Sequence, residues 1–208
     1  MSHDNPVFTV TNPVFAVGCD IETTDLDVDT LDVLEVSLVA FDKDLNVVDA
    51  IAIVIHHELD QLQMNGIVAQ MHTKNNLLHD VENATWPLDK AEAKLCDWMD
   101  EYIEDEGHLP YMLGSSLTFD RNVLTRHMPE LAKRFHYRSL DATTVKILAE
   151  AHGVDLQLDT SLHRALDDTY RSAMILRNGY LKVIDKWRDA EATAGTSTNT
   201  ANKANYNA

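Results

Sequence analysis

Val14-Phe15-Ala16-Val17-Gly18-Cys19-Asp20-Ile21-Glu22-Thr23 is a short apolar run that closes on two acids. In an extended chain, residues i and i+2 project to the same face, so Asp20 and Glu22 point together. Two neighbouring carboxylates without a counter-charge raise at least one pKa and cost stability, and a divalent cation between them removes the conflict. A solvated strand end is the plain alternative, because Asp-x-Glu alone is common. Two more strand-type runs follow, from Val33 to Phe41 (Val-Leu-Glu-Val-Ser-Leu-Val-Ala-Phe) and from Asn46 to Ile55. The turn signal Asp42-Lys43-Asp44 separates them, which predicts an antiparallel meander at the start of the fold.

Downstream, the period changes. Pro87 to about Glu104 places Leu88, Ala91, Leu95, Trp98, Met99 and Tyr102 on one face among charges, the pattern of an amphipathic helix. Leu109 to Leu113 reads as a fourth strand. Phe119 to His127, Asp141 to His152 and Ala165 to Lys186 read as helices, with Gly153 a stop for the second of these. Strands first and strand–helix alternation afterwards indicate an α/β or α+β layer architecture.

A chain of 208 residues, 45% hydrophobic and 25% charged, is long enough to bury one core, so one catalytic domain is expected over residues 14–186. Residues 1–13 form an N-terminal extension. Residues 187–208 are expected to be a disordered tail, because from Asp189 onward almost no large apolar side chain is present to offset chain entropy. The apolar runs are broken by charge well short of a membrane span, and the first residues lack the basic flank and apolar run of a signal peptide. The expectation is a cytoplasmic protein with no membrane segment. Cys19 and Cys96 lie far apart without metal-ligand spacing and read as reduced core thiols.

The net charge of −17 argues against tight binding to long nucleic acid, whose affinity comes from many Lys and Arg contacts to phosphate. It leaves room for an enzyme that grips one or two nucleotides at a chain end, with divalent cations reversing the local sign of an acidic site. Two further pieces suit such a site. His163-Arg164-Ala165-Leu166-Asp167-Asp168 opens the last helix, with Asp168 in its early turns and His163 on the preceding segment, mobile enough to act as a base. Asp120 lies early in the helix after the fourth strand. Each alone is equally a capping or helix-dipole residue.

Together, Asp20, Glu22, Asp120, His163 and Asp168 resemble the DEDDh family of 3′→5′ exonucleases, and within it the oligoribonucleases. The resemblance runs from about Val14 to about Lys186. Asp20 to Asp29, Gly114 to Leu124, Met128-Pro129-Glu130-Leu131, Phe135 to Asp141 and His163 to Ser172 carry it, and the middle stretch, Met128 to Leu131 with Phe135 to Asp141, is its most specific part. It implies an α/β ribonuclease H-like fold, whose mixed central sheet has antiparallel first three strands plus parallel strands and is flanked by helices. It implies Asp20, Glu22, Asp120 and Asp168 as ligands of two divalent ions, Mg²⁺ or Mn²⁺, with His163 as general base. It implies substrate contacts at Leu26, as a wedge beside the terminal bases, at His72, and at Ser116, Arg138 and Thr143, as a cap on the far phosphate. Tyr137 matches an aromatic residue supplied across a homodimer interface. Short single-stranded RNA, or DNA, is the implied substrate.

Two positions depart from the family pattern. Asp25 replaces a glycine before Leu26, and Ile67 stands where a tryptophan is expected about five residues before His72. Ile67 cannot stack on a base as an aromatic ring does, so the base-gripping wall is altered around an intact catalytic set. A DNA trimmer with the same chemistry, a non-catalytic end-binding module and a small-molecule phosphodiesterase are the competing readings.

Overall fold

The computed structural model describes residues 14–103, 108–157 and 163–189. Its centre is a five-stranded mixed sheet in the order β3-β2-β1-β4-β5. Strands β1 (Ala16–Thr23), β2 (Val33–Phe41) and β3 (Val47–Val54) form the expected antiparallel meander. Strands β4 (Tyr111–Gly114) and β5 (His136–Asp141) extend β1 in parallel. The fifth strand escaped the sequence reading as an element because it is an edge strand with Tyr137, Arg138 and Ser139 exposed, so no apolar alternation marks it.

Strand alternation sorts the sheet into two faces. Val17, Cys19 and Ile21 of β1, with Val36 and Leu38 of β2, pack into the main core against helices α3 (Leu88–Asp100), α4 (Thr118–His127) and α5 (Pro129–Ala132). Both cysteines are buried and unpaired. The opposite face is apolar at one end, where Ala16, Val39, Phe41 and Leu113 cluster with Ala173. At the other end the same alternation presents Asp20, Glu22, Glu35 and Ser37.

Helix α7 (Ala165–Met174) lies on this second face and buries only small residues: Ala165, Thr169, Ser172 and Ala173. Two hydroxyl pairs fasten it, Ser37 to Thr169 at 2.6 Å and Ser115 to Ser172 at 2.8 Å. Close approach requires Gly18, since a Cβ there would stand 2.4 Å from Thr169 Cγ2 and 2.9 Å from Phe41 Cε2. Beyond α7 the helix widens to a π-turn over Ile175–Gly179, packs on α6 (Ala142–Ala151), and continues through residue 189. Trp187 donates to His152 at 2.7 Å. Residues 187–189 are therefore helical and not part of a disordered tail. Residues 190–208 and the extension over 1–13 lie outside the described residues.

Helices α1 (Gly66–Lys74) and α2 (Leu77–Asn83) are absent from the sequence reading, being short and only weakly amphipathic. Asn65 caps α1 by accepting from the Ile67 and Val68 amides, and Leu77 and Val81 of α2 bury against Leu34. Among the described residues, no helix is long and apolar enough to cross a membrane.

The approach of α7 to β1 can be tested by filling it. Gly18→Ala should destabilise the protein by about 1–3 kcal/mol, the usual range for overpacking. Thr169→Ser in that background removes the nearest methyl and keeps the hydroxyl, so it should recover part of the loss. Urea unfolding of the two variants measures both, and an unchanged midpoint for Gly18→Ala would contradict the packing.

Candidate active site

The acids meet because of alternation on β1 and the placement of α7. Asp20, Glu22 and Asp168 each offer a carboxylate oxygen, and these oxygens lie within 4.8 Å of one another. Asp168 sits in the first turn of α7, its amide bonded to the Arg164 carbonyl at 3.0 Å. Asp120 stands outside this trio but lines the same cleft of about 300 Å³, together with Leu26, Ser115, Ser116, Phe119 and His163. No Lys or Arg is among the described residues of that lining. A larger cavity of about 570 Å³ runs along α7 past Arg171, Arg177 and Lys182 and shares only Asp168 with the lining of the acidic cleft. Size does not identify the site; convergent chemistry does.

The carboxylates resist ionisation in one another's company. Burial pushes the Asp20 carboxyl well above its usual range, and the charges of Asp120, Glu22 and Asp168 add to this. Burial first, then Asp168 and Glu35, raise Glu22 from the usual 4.5 to about 7, with Arg164 opposing. Asp120, 5% exposed, is raised from 3.8 to about 7 by burial, against the bond it accepts from the Ile21 amide. An all-oxygen donor set that is crowded and short of positive charge fits a hard divalent cation.

His163 is exposed on the segment before α7 and lines the cleft. Its backbone is in the left-handed region at φ 52°, uncommon for a residue with a Cβ. The Asn75 side-chain amide donates to its carbonyl. Arg164 follows and forks onto Glu35 through Nε at 3.1 Å and Nη2 at 2.8 Å, while Nη1 reaches Asp80 at 2.8 Å. Glu35 is the register partner of Glu22 across β1 and β2. Neither Glu35, Asp80 nor Asn75 was singled out from sequence, although an acid inside the otherwise apolar run from Val33 to Phe41 is a signal that a buried partner exists.

The remaining candidates separate. Leu26 is 77% exposed and lines the cleft, as a wedge requires. Ser116 lines it too, and its amide donates to Thr143 Oγ1 at 2.8 Å and to Asp141 Oδ1 at 3.0 Å, so Ser116 and Thr143 are brought together. Arg138 is not among the cleft lining; its guanidinium lies 4.9 Å from the centre of the Tyr137 ring, on the exposed edge strand. Tyr137 is 74% exposed there. Ile67 is 81% exposed on α1. His72 departs most from expectation. Expected as a substrate contact, it has no exposed surface and lies beneath the cleft, its Nε2 3.1 Å from the Thr23 carbonyl and 4.0 Å from Glu22. The reason is α1, the helix missed in the sequence, which turns this residue inward. Phe119, a half-buried ring in the cleft wall, was also missed.

The raised carboxyls give a pH signature. A carboxyl whose folded pKa is raised contributes stability present below its unfolded value and lost as pH rises through the folded one. Without metal, the thermal midpoint should therefore fall between about pH 5 and pH 8, at about 2–4 °C per kcal/mol for a chain of this size. Added Mn²⁺ should raise it more at pH 8 than at pH 5, and Glu22→Gln/Asp120→Asn should flatten the metal-free slope. Equal metal effects at both pH values would contradict the assignment.

With this geometry in place, known proteins are informative. The RNase T exonuclease family matches residues 17–176. An oligoribonuclease of Neisseria gonorrhoeae is 31% identical over 151 residues, covering 70% of this chain and 85% of that protein. One of Corynebacterium diphtheriae is 30% identical over 182 residues, covering 85% and 82%. Among solved structures, the nuclease domain of 3′hExo, a DEDDh family member bound to rAMP, superposes with a TM-score of 0.54 at 18% identity, covering 79% of this chain and 91% of that one. That degree of identity speaks to the fold alone. The chain belongs to the RNase T exonuclease family, on the side of the oligoribonucleases.

Proposed function

We propose that this enzyme is a 3′→5′ exoribonuclease that releases nucleoside 5′-monophosphates from the ends of short RNAs by metal-dependent hydrolysis. The observation that carries the reading is the convergence of Asp20, Glu22, Asp120 and Asp168 with an exposed His163 in one small cleft. Asp20, Glu22 and Asp168 would hold one Mg²⁺ or Mn²⁺, and Asp20 with Asp120 a second. When bound, such ions stabilise the attacking and leaving oxygens of an in-line phosphoryl displacement. His163 takes the proton from the attacking water. His72 sits too deep for substrate; it bonds the Thr23 carbonyl and so steadies the end of β1 beside Glu22.

The cleft admits a strand end rather than a duplex, in keeping with the acidic charge balance. Leu26 wedges the terminal bases. Ser116 and Thr143 cap the far phosphate, with Arg138 swinging from the Tyr137 face to join them. Tyr137, exposed on an edge strand, would complete the site across a homodimer. The reading places the enzyme in the cytoplasm.

Asp20→Ala or Glu22→Ala should abolish turnover with the fold retained, and EDTA should do so reversibly. His163→Ala should lower kcat by about 10²–10⁴-fold with substrate affinity largely kept. Matched RNA and DNA pentamers carry the assay; a protein that cleaves DNA and spares RNA, or a wild-type rate in Asp20→Ala, overturns the proposal.

Substrate length tests the cap separately. Because an Arg–phosphate bond is charge-assisted, Arg138→Ala should weaken cleavage of two- to four-nucleotide RNA far more than that of longer RNA. The stack that Ile67 does not supply, worth about 1–3 kcal/mol per base in other proteins, should leave the wild-type preference for the shortest substrates shallow. Kinetics across a length series decide both, and an equal loss at every length would make Arg138 a general phosphate contact.

A further inference from the structure

His163 stands on the segment that leads into α7 and lines the cleft. Its ring is exposed, and its backbone sits in a left-handed conformation that a non-glycine residue keeps only when its surroundings impose it. Its carbonyl and the two residues that follow it are bonded into the fold. Asn75, at the end of α1, donates to the His163 carbonyl and at the same time accepts from the Leu77 amide at 3.1 Å, so it is itself fixed by the start of α2. Arg164 grips Glu35 on β2 in a two-point fork and Asp80 on α2 through its third nitrogen. Glu35, 3% exposed, also accepts the Ala165 amide at 3.0 Å, the first free N–H of α7.

We infer that Arg164, with Glu35 and Asn75, is a positioning residue for the reaction. It locks the segment 163–165 against β2 and α2, and thereby sets His163 and Asp168 at the correct distance from Asp20 and Glu22. One carboxylate, Glu35, does three things at once: it caps α7, it receives the guanidinium fork, and it stands across the strand pair from Glu22. The fork matters as a shape. A lysine at this place supplies the charge and reaches one carboxylate, but it cannot hold two oxygens of Glu35 and one of Asp80 in a plane. Substrate does not meet Arg164, whose three bonding groups all point at protein. The residue therefore acts on the rate of the chemical step and not on binding.

This inference rests on His163 acting as base, and the experiment separates the two. Four variants are assayed on an RNA trimer with saturating Mn²⁺: Arg164→Lys, the pair Arg164→Met/Glu35→Leu, Asn75→Ala, and His163→Ala as reference. The paired variant replaces a buried ion pair with apolar side chains, a change that commonly preserves folding. Circular dichroism and the metal-free thermal midpoint report the fold of each. The expected result is that Arg164→Lys and the paired variant stay folded, lose about 10–100-fold in kcat, and keep KM within about threefold, the signature of a misplaced catalytic group. Asn75→Ala should show a smaller loss of the same kind. If His163→Ala alone is impaired and the other three retain wild-type kcat, the clamp is wrong and the base stands. If His163→Ala keeps its kcat, both fall. A kcat loss that appears only where the circular dichroism shows unfolding, or a rise in KM without loss of kcat, also overturns the positioning role.

Discussion

Four carboxylates gathered at the end of one strand are the constraint to which this structure answers. Alternation on β1 turns Asp20 and Glu22 toward the α7 face, and α7 adds Asp168 to them. Burial holds Asp20, Glu22 and Asp120 above their ordinary titration range, with Arg164 opposing it at Glu22. A cluster of this kind opposes its own folding at neutral pH unless cations enter. The protein accepts that cost locally because the central strands of the sheet are heavily buried, β2 along its whole length.

Bringing α7 onto an acidic end of a sheet also requires a close, well-fastened helix. Small side chains on its buried face and Gly18 on β1 permit the approach. The hydroxyl pairs Ser37–Thr169 and Ser115–Ser172, and the fork of Arg164 on Glu35, supply direction where apolar packing supplies none. Directional bonds fix a catalytic carboxylate more closely than a greasy contact, since packing alone tolerates sliding while hydrogen-bond geometry does not. The β4–α4 turn follows the same logic: Asp141 receives the amides of Ser116, Leu117 and Thr143, fixing the Ser116 side of the cleft.

Much of this was legible in the sequence. The three-stranded meander, the helix carrying Leu95 and Met99, and the last helix all follow from hydrophobic periods; Asp20 and Glu22 stand out because they close an apolar run, while Asp120 and Asp168 were singled out by the family resemblance. What stayed hidden lacks a period. The α1–α2 segment is short, and β5 is a polar edge. His72 resembled a surface contact because nothing local in Gln70 to Lys74 says which side of α1 faces inward. The Glu35–Arg164–Asp80 clamp joins residues far apart in sequence, and only the fold brings them together. Ile67, read from sequence as unable to stack on a base, is exposed on α1.

The central claim is that water, activated at the acidic cleft, attacks the terminal phosphodiester of a short RNA. Hydrolysis of an RNA pentamer in water labelled with heavy oxygen, with the products analysed by mass spectrometry, tests it most directly. The account predicts nucleoside 5′-monophosphates released stepwise from the 3′ end, each carrying one labelled oxygen on phosphorus, and none formed by the Asp20→Ala protein. Products ending in an unlabelled cyclic phosphate, formed by attack of the neighbouring 2′-hydroxyl, or internal cleavage of the pentamer, would contradict it.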